Sequence, residues 1–152
     1  MELNTKGRYA VMAMADLAKN ARSEAVPLSQ IAERQHLSVA YLEQIFMHLR
    51  RAGLVESARG RSGGYRLGRP AGEINVAEIM RAVEEETRMT RCRGDGSRCF
   101  GVERCLTHHL WESLGDHIEG FLSRVTLDDV LRGLPGDKKG GRGPKAIGAA
   151  AE

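Results

Sequence analysis

Between Lys6 and Asn20 the apolar residues Tyr9, Ala10, Ala13, Met14 and Leu17 recur on one side of a helix, with Thr5 as its N-cap and Asn20 as its stop. A short second helix is predicted after Pro27, capped by Ser29, with Ile31 and Ala32 facing inward. Gln35, His36 and Leu37 turn the chain, and Ser38 caps a third helix. The buried stripe of that helix is Leu42, Ile45, Phe46 and Leu49, spaced i, i+3, i+4, i+7. Gly53 ends it, after Arg50 and Arg51 have placed positive charge at the negative end of the helix dipole. The pattern then switches to two short strand-like runs, Leu54 to Ala58 and Tyr65 to Leu67, around the Gly-rich turn Arg59 to Gly64.

Three helices followed by such a hairpin predict a winged helix-turn-helix over residues 1–72, closed by Pro70 and Gly72. Helical spacing returns at Asn75, where Glu78 completes an Asn-x-x-Glu capping box and Val76, Ile79, Met80 and Val83 form the apolar stripe. Residues 90–105 hold Gly94, Gly96, Gly101 and all three cysteines, and show no periodicity. A long helix follows from about Leu106 to Arg124, with Leu110, Leu114, Ile118, Phe121, Leu122 and Val125 on one side, and Thr126 caps a last short helix through Leu131. The fold class expected is mainly α with a small β-hairpin wing: the winged helix-turn-helix plus a long dimerisation helix. Residues 73–135 form the second part, a cysteine loop with dimerisation helices. Residues 136–152, rich in Gly, Ala and Lys/Arg, read as a disordered tail.

Composition supports a folded chain, with 41% hydrophobic and 28% charged residues among 152. Charge changes the picture more. The formal net charge of +3 averages a balance of +5 over residues 1–72, −4 over 73–135 and +2 over the tail. One part suits a polyanion and the other does not. No apolar run approaches the roughly 18 residues needed to span a bilayer, and Met1 to Ala10 lacks the apolar core of a signal peptide. A cytoplasmic protein with no membrane partner is expected. An odd number of cysteines, Cys92, Cys99 and Cys105, then argues for metal or redox chemistry over a disulfide scaffold.

A recognition helix enters the major groove of double-stranded DNA by its N-terminal, outward residues, here Val39, Ala40, Tyr41, Glu43, Gln44 and Met47, with Ser38 at the cap. Gln44 suits adenine N6 and N7, and Glu43 can accept from cytosine N4. Because Glu43 also repels phosphate, its presence points to selectivity more than raw affinity. Arg59 and Arg61 at the wing tip suit a narrow minor groove. Arg50, Arg51, Lys6 and Arg8 are candidates for phosphate contacts. Alone, a helix with Glu and Gln reads as an ordinary solvated surface. The ordered set of helix, turn, helix and basic hairpin favours DNA.

Cys92, Cys99, Cys105 and His108 are spaced C-x(6)-C-x(5)-C-x(2)-H, and the last two share a face at the start of a helix. Four soft donors on a glycine-rich loop suit tetrahedral zinc or an iron–sulfur cluster, and spacing wider than the usual zinc-finger pair leans towards a cluster. Spacing alone leaves His109 as a competitor for the fourth position. His117 reads as a solvated or interface residue. Arg91, Arg93, Arg98 and Arg104 surround the thiols and would favour thiolates. The long helix has a wider apolar side than a small winged helix covers, which predicts a two-fold homodimer and a roughly palindromic DNA site. No catalytic constellation stands out, and Gly60-Arg61-Ser62-Gly63-Gly64 lacks the Lys-Ser/Thr end of a P-loop. No enzymatic activity is expected.

The runs Leu3 to Ala10, Tyr41 to Phe46, Gly63-Gly64-Tyr65 and Cys105-Leu106-Thr107-His108 resemble the iron–sulfur cluster regulators of the Rrf2 family of winged-helix transcription factors, over about residues 1–132. The resemblance implies a homodimer with one 2Fe–2S cluster per subunit, cluster-binding residues Cys92, Cys99, Cys105 and His108, and repression of cluster-assembly genes when the cluster is present. It further implies that Gln44 reads bases, Arg59 enters the minor groove and Glu43 discriminates two classes of site, one of which the cluster-free form still binds. Cluster assembly scaffold proteins are additional candidate partners. Three positions depart from the family pattern: six residues rather than five separate Cys92 from Cys99, Ala40 replaces a serine, and Arg61-Ser62 stands where Pro-Gly is usual. The alternatives are a 4Fe–4S sensor of nitric oxide or iron, and a zinc-stabilised DNA-binding or interaction module without sensing.

Overall fold

The computed structural model describes residues 5–21, 24–83 and 106–134. The cysteine loop and the tail expected after residue 135 lie outside these residues. Helix α1 (Thr5–Asn20) turns Ala10, Ala13, Met14 and Leu17 fully inward. Thr5 belongs to the helix rather than preceding it as a cap. Helix α2 (Leu28–Gln35) starts directly after Pro27, whose φ of −65° and ψ of 143° set the extended entry, and no side chain caps it. Ser29 therefore sits inside the first turn, two residues too late to serve as the expected N-cap.

His36 closes α2 in the left-handed region, at φ 55°, the one non-glycine positive φ among the described residues. Its neighbour Leu37 donates its N–H back to the Ala32 carbonyl at 3.0 Å, which turns the chain sharply into Ser38. Ser38 is the N-cap of α3 (Val39–Arg51), its Oγ accepting from the Tyr41 N–H at 3.2 Å. Gly53, at φ 72°, ends the helix as expected and releases the chain into strand β1. Strands β1 (Val55–Ala58) and β2 (Gly64–Leu67) pair antiparallel, with Val55 opposite Leu67 and Ala58 opposite Gly64. Val26 adds a one-residue rung, exchanging both backbone hydrogen bonds with Tyr65 at 2.9 Å.

A 3-10 turn, Ala71–Glu73, leads to α4 (Val76–Ala82), whose Asn75–Glu78 capping box is present in both directions. Helix α5 spans His108–Arg124 and α6 spans Leu127–Arg132, the latter opened by a second capping box, Thr126 with Asp129. The segments before α4 and α6 lie side by side. Val76 donates to the Val125 carbonyl and Leu127 to that of Ile74, each at 2.9 Å. One hydrophobic core therefore takes residues from both sides of the expected boundary at residue 72, joining Met14, Leu17, Ile31, Leu42, Ile45, Phe46 and Leu49 to Ile74, Ile79, Val83 and Leu127. Each such side chain contributes on the order of 1.5–3 kcal/mol by leaving water.

A charged clamp fixes α2 on α1. The Asp16 side chain, 3% exposed, accepts from Arg34 Nη2 at 2.6 Å and Nε at 3.0 Å, and from Gln35 Nε2 at 2.7 Å. Asn20 completes the shell at 3.2 Å. Burial alone raises the Asp16 pKa, but the Arg34 and Gln35 hydrogen bonds outweigh it and hold the carboxyl below its ordinary value. Because Arg34 and Gln35 form the last turn of α2, the clamp also sets where the helix-turn-helix turn begins. Among the described residues, no helix is long and apolar enough to cross a membrane.

Candidate nucleic-acid interface and metal centre

Helix α3 buries Leu42, Ile45, Phe46 and Leu49 completely, which forces the intervening residues outward. Ser38, Val39, Ala40, Glu43, Gln44 and Met47 are exposed along the N-terminal half of its outer face, as a groove-reading helix requires. Tyr41 differs from these. It is half-buried, its ring 6.0 Å from that of Tyr9 and nearly perpendicular to it, so it braces the start of α3 against α1. Sequence reading did not single out Tyr9 as its partner, since 32 positions of chain separate them.

The wing stands on the same helix. The Phe46 ring packs 4.8 Å from Tyr65 of β2, edge to face, and Arg50 Nη1 donates to Ser57 Oγ of β1 at 3.4 Å. At the root, a Cβ on Gly64 would come within 2.4 Å of the Val26 backbone, so only glycine admits this approach. The tip behaves differently. Arg59, Gly60, Arg61 and Ser62 are all exposed. Arg8, Arg50 and Arg51 are exposed too, while Lys6 is half-buried. The exposed α3 residues and the basic wing therefore belong to one rigid unit joined through Phe46, Tyr65 and Val26.

Of the four candidate metal ligands, Cys92, Cys99 and Cys105 lie outside the described residues. His108 is described, and it is unusual. It is the buried residue of α5, with its side chain 5% exposed, at the first position of the helix. His109 is its opposite, 79% exposed. Glu112 faces both: its Oε2 lies 3.8 Å from His108 Nε2 and 3.6 Å from His109 Nδ1. The i+3 and i+4 spacing to Glu112 was readable in the sequence but was not singled out there. A buried imidazole three residues after a cysteine, with two more cysteines upstream, is a donor set suited to a soft metal centre. No cluster of three or more His, Cys, Asp or Glu side chains able to hold a metal occurs among the described residues alone.

The rest of α5 leaves its apolar side open. Leu110 is 60% exposed and Phe121 49%, and Trp111 is exposed as well, while Leu114, Ile118, Leu122 and Val125 are half-buried. The helix is tied to its own chain on the other side, where Arg81 of α4 meets Glu119 at 2.9 Å.

Comparison with known proteins places these features in context. Residues 3–133 match the family described as Rrf2, iron-dependent transcriptional regulator. The chain is 52% identical over 131 residues to the HTH-type transcriptional regulator IscR of Cronobacter sakazakii, covering 86% of this chain and 80% of that protein. It is 51% identical, over the same shares, to IscR of an Enterobacter species. Among solved structures, IscR of T. potens superposes with a TM-score of 0.70 at 41% identity, covering 87% of each chain. CymR, the global cysteine regulator of B. subtilis, superposes with a TM-score of 0.73 at 34% identity, covering 87% of this chain and 97% of that one.

Proposed function

This chain belongs to the Rrf2 family and is a DNA-binding transcriptional regulator with a winged helix, not an enzyme, and we propose that it senses a 2Fe–2S cluster held by Cys92, Cys99, Cys105 and His108. The observation that carries the proposal is the burial of His108 at the start of α5, three residues after Cys105. A buried imidazole at the head of a helix, three residues after a cysteine, is a soft donor of the kind such a centre takes. Exposure separates the two histidines that spacing left open, and it favours His108 over His109. IscR relatives, regulators by name, share half of the sequence over most of the chain.

When bound, the cluster supplies a centre whose assembly or loss reports on iron and sulfide supply. The chain's own residues do the rest. Gln44 and Glu43 read base edges from α3, Arg59 and Arg61 approach the minor groove from the wing, and Arg50 with Ser38 and Ala40 lies along the backbone. Half-buried Tyr41 serves this interface by bracing α3. The exposed side of α5 supports a homodimer, in which Leu110, Trp111 and Phe121 are covered by a second copy and the two recognition helices face a roughly palindromic site. The cluster-bound form represses cluster-assembly genes in the cytoplasm, with scaffold proteins as the source of the cluster. Residues 73–135 act as the sensing and dimerising part, and residues 1–72 as the reading part.

Anaerobic purification tests this directly. A coloured protein with equal iron and sulfide, two of each per chain, is expected, together with a footprint that changes on cluster loss. A Mössbauer spectrum of a 4Fe–4S centre would move the reading to a nitric oxide or iron sensor. Stoichiometric zinc in a colourless, DNA-active protein would replace sensing by a structural metal.

A further inference from the structure

We propose that Met47 is a specificity residue of the DNA interface, reading the C5-methyl group of a thymine in the major groove beside the base that Gln44 reads. The proposal rests on the reading of α3 as the helix that enters the groove, and adds an apolar contact to the polar ones.

A single exposed methionine needs no explanation by itself, because folded proteins keep many apolar atoms in water. The position of this one does. Successive residues of a helix turn by roughly 100°. Leu42, Ile45, Phe46 and Leu49 fix the buried side of α3, each 0% exposed. Between residues 41 and 49, Gln44 and Met47 alone then fall within about 30° of the direction opposite that stripe. Met47 is 42% exposed there. Glu43 and Gln44, one turn earlier, are exposed on the same face. Arg50, one turn later, is turned towards the wing, where its Nη1 donates to Ser57 Oγ at 3.4 Å. The most outward side chain beyond Gln44 is therefore apolar, and it is continuous with the residues that face the groove.

The thymine methyl is the apolar group that base edges show in the major groove, and apolar side chains read it by contact. The other edges there offer donors and acceptors, which a thioether pairs poorly. A cytosine beneath Met47 would lose water from its N4 amine and gain no partner. Met47 lies three residues past Gln44, about 4.5 Å along the helix axis. That is close to the rise of about 3.4 Å between base pairs, which sets Met47 over a pair neighbouring the one that Gln44 reads. Its unbranched, flexible side chain lets the terminal methyl follow the thymine on either strand.

The test uses the full-length, anaerobically prepared protein and a duplex that it selects from a random pool. Each thymine of that duplex is replaced in turn by deoxyuridine, which deletes the C5-methyl group and leaves the hydrogen-bonding edge intact. At one or more positions under α3, wild-type binding is expected to weaken about fourfold, the worth of one buried methyl group. Met47→Ala should bind the unmodified duplex about as weakly and lose its sensitivity to deoxyuridine at that position, while Met47→Leu keeps it. The salt dependence of Met47→Ala should match the wild type, since no phosphate contact is removed. Deoxyuridine without effect at every position overturns the proposal, as does a penalty that persists in full in Met47→Ala. A changed association state of Met47→Ala in sedimentation would make the surface a protein contact and overturn it too. Where Gln44→Ala still alters base preference in these cases, α3 keeps its reading role; where Gln44→Ala leaves preference untouched, that reading falls as well. Thermal melts should coincide for the Met47 variants, because an exposed helix position accepts Ala or Leu at little cost.

Discussion

Helices α3 and α5 carry the same kind of apolar stripe and end in opposite circumstances. In α3, Leu42, Ile45, Phe46 and Leu49 are all fully buried within their own chain. In α5, Leu110 and Phe121 stay exposed, and the residue that is buried is a histidine. A periodic stripe states that a helix has an apolar side; it does not state which molecule covers it. The neighbours of α3 come from α1, α2, α4 and both strands of the wing, whereas α5 is held chiefly on its α4 side. The first helix is therefore a structural fixture that presents a largely polar face, and the second keeps part of its apolar side in water.

The sharpest way to break this contrast is to truncate one aromatic residue in each helix. Phe46→Ala is expected to cost about 3–5 kcal/mol in denaturant unfolding, since it opens a cavity between α3 and the wing. Phe121→Asp is expected to leave secondary structure intact but shift the protein to monomers in sedimentation, abolishing cooperative binding to a two-fold site. A Phe121→Asp protein that remains dimeric would place the interface elsewhere.

Next in size is the clamp beneath α3. Arg34→Met leaves the Asp16 carboxylate buried with only Gln35 and Asn20, at a cost of about 1–3 kcal/mol in unfolding. Acid titration probes the same group. Asp16 and Glu78 are both held below their ordinary values: burial raises each, and hydrogen bonds from Arg34 to Asp16, and from the Asn75 N–H and Arg69 to Glu78, more than offset it. Carboxyls lowered by folding stabilise the fold at pH above their unfolded values, and that contribution is lost as pH falls through the folded ones. Melting temperature should therefore hold through mildly acidic solution and drop below about pH 4, less steeply in Arg34→Met.

Arg59→Ala lies on the presenting surface, so it should weaken specific DNA binding by about 1–3 kcal/mol with no change in melting. An unaltered footprint and affinity would remove the wing tip from the interface. Glu43→Ala should have the smallest effect on affinity and relax the preference between DNA sites, measured by competition with single-base variants.

Legibility in the sequence followed the range of the interaction. The Asn75–Glu78 box, the Ser38 cap and the Gly53 stop were readable because each is decided within about four residues, and the hairpin because its two runs are neighbours in sequence, with Ala58 pairing Gly64 across one turn. Ser29 misled for an equally local reason: Pro27 already sets the backbone at the entry of α2, so the helix begins before a serine cap is needed. Thr5 was likewise a good cap type that the helix took up into its own first turn. The Asp16–Arg34 clamp, Tyr9 against Tyr41, and the rungs joining residues 74–76 to 125–127 were invisible, since charge and aromatic residues do not announce distant partners. At the candidate metal centre, spacing pointed to a candidate donor set and left His108 and His109 unranked. Burial separates them.

The contact at Gly64 has a consequence for how such a regulator diversifies. Its backbone is pressed against Val26 so closely that no side chain fits, while the turn holding Arg59 and Arg61 is closed by its own Gly63 N–H to Gly60 carbonyl bond at 3.0 Å and leaves residues 59–62 exposed. Selection can therefore rewrite the tip, including the Arg61-Ser62 pair that departs from the family pattern, without disturbing the anchor beneath it. Copies of this gene that acquire new promoters would be expected to differ first in those few tip residues and last at the glycine.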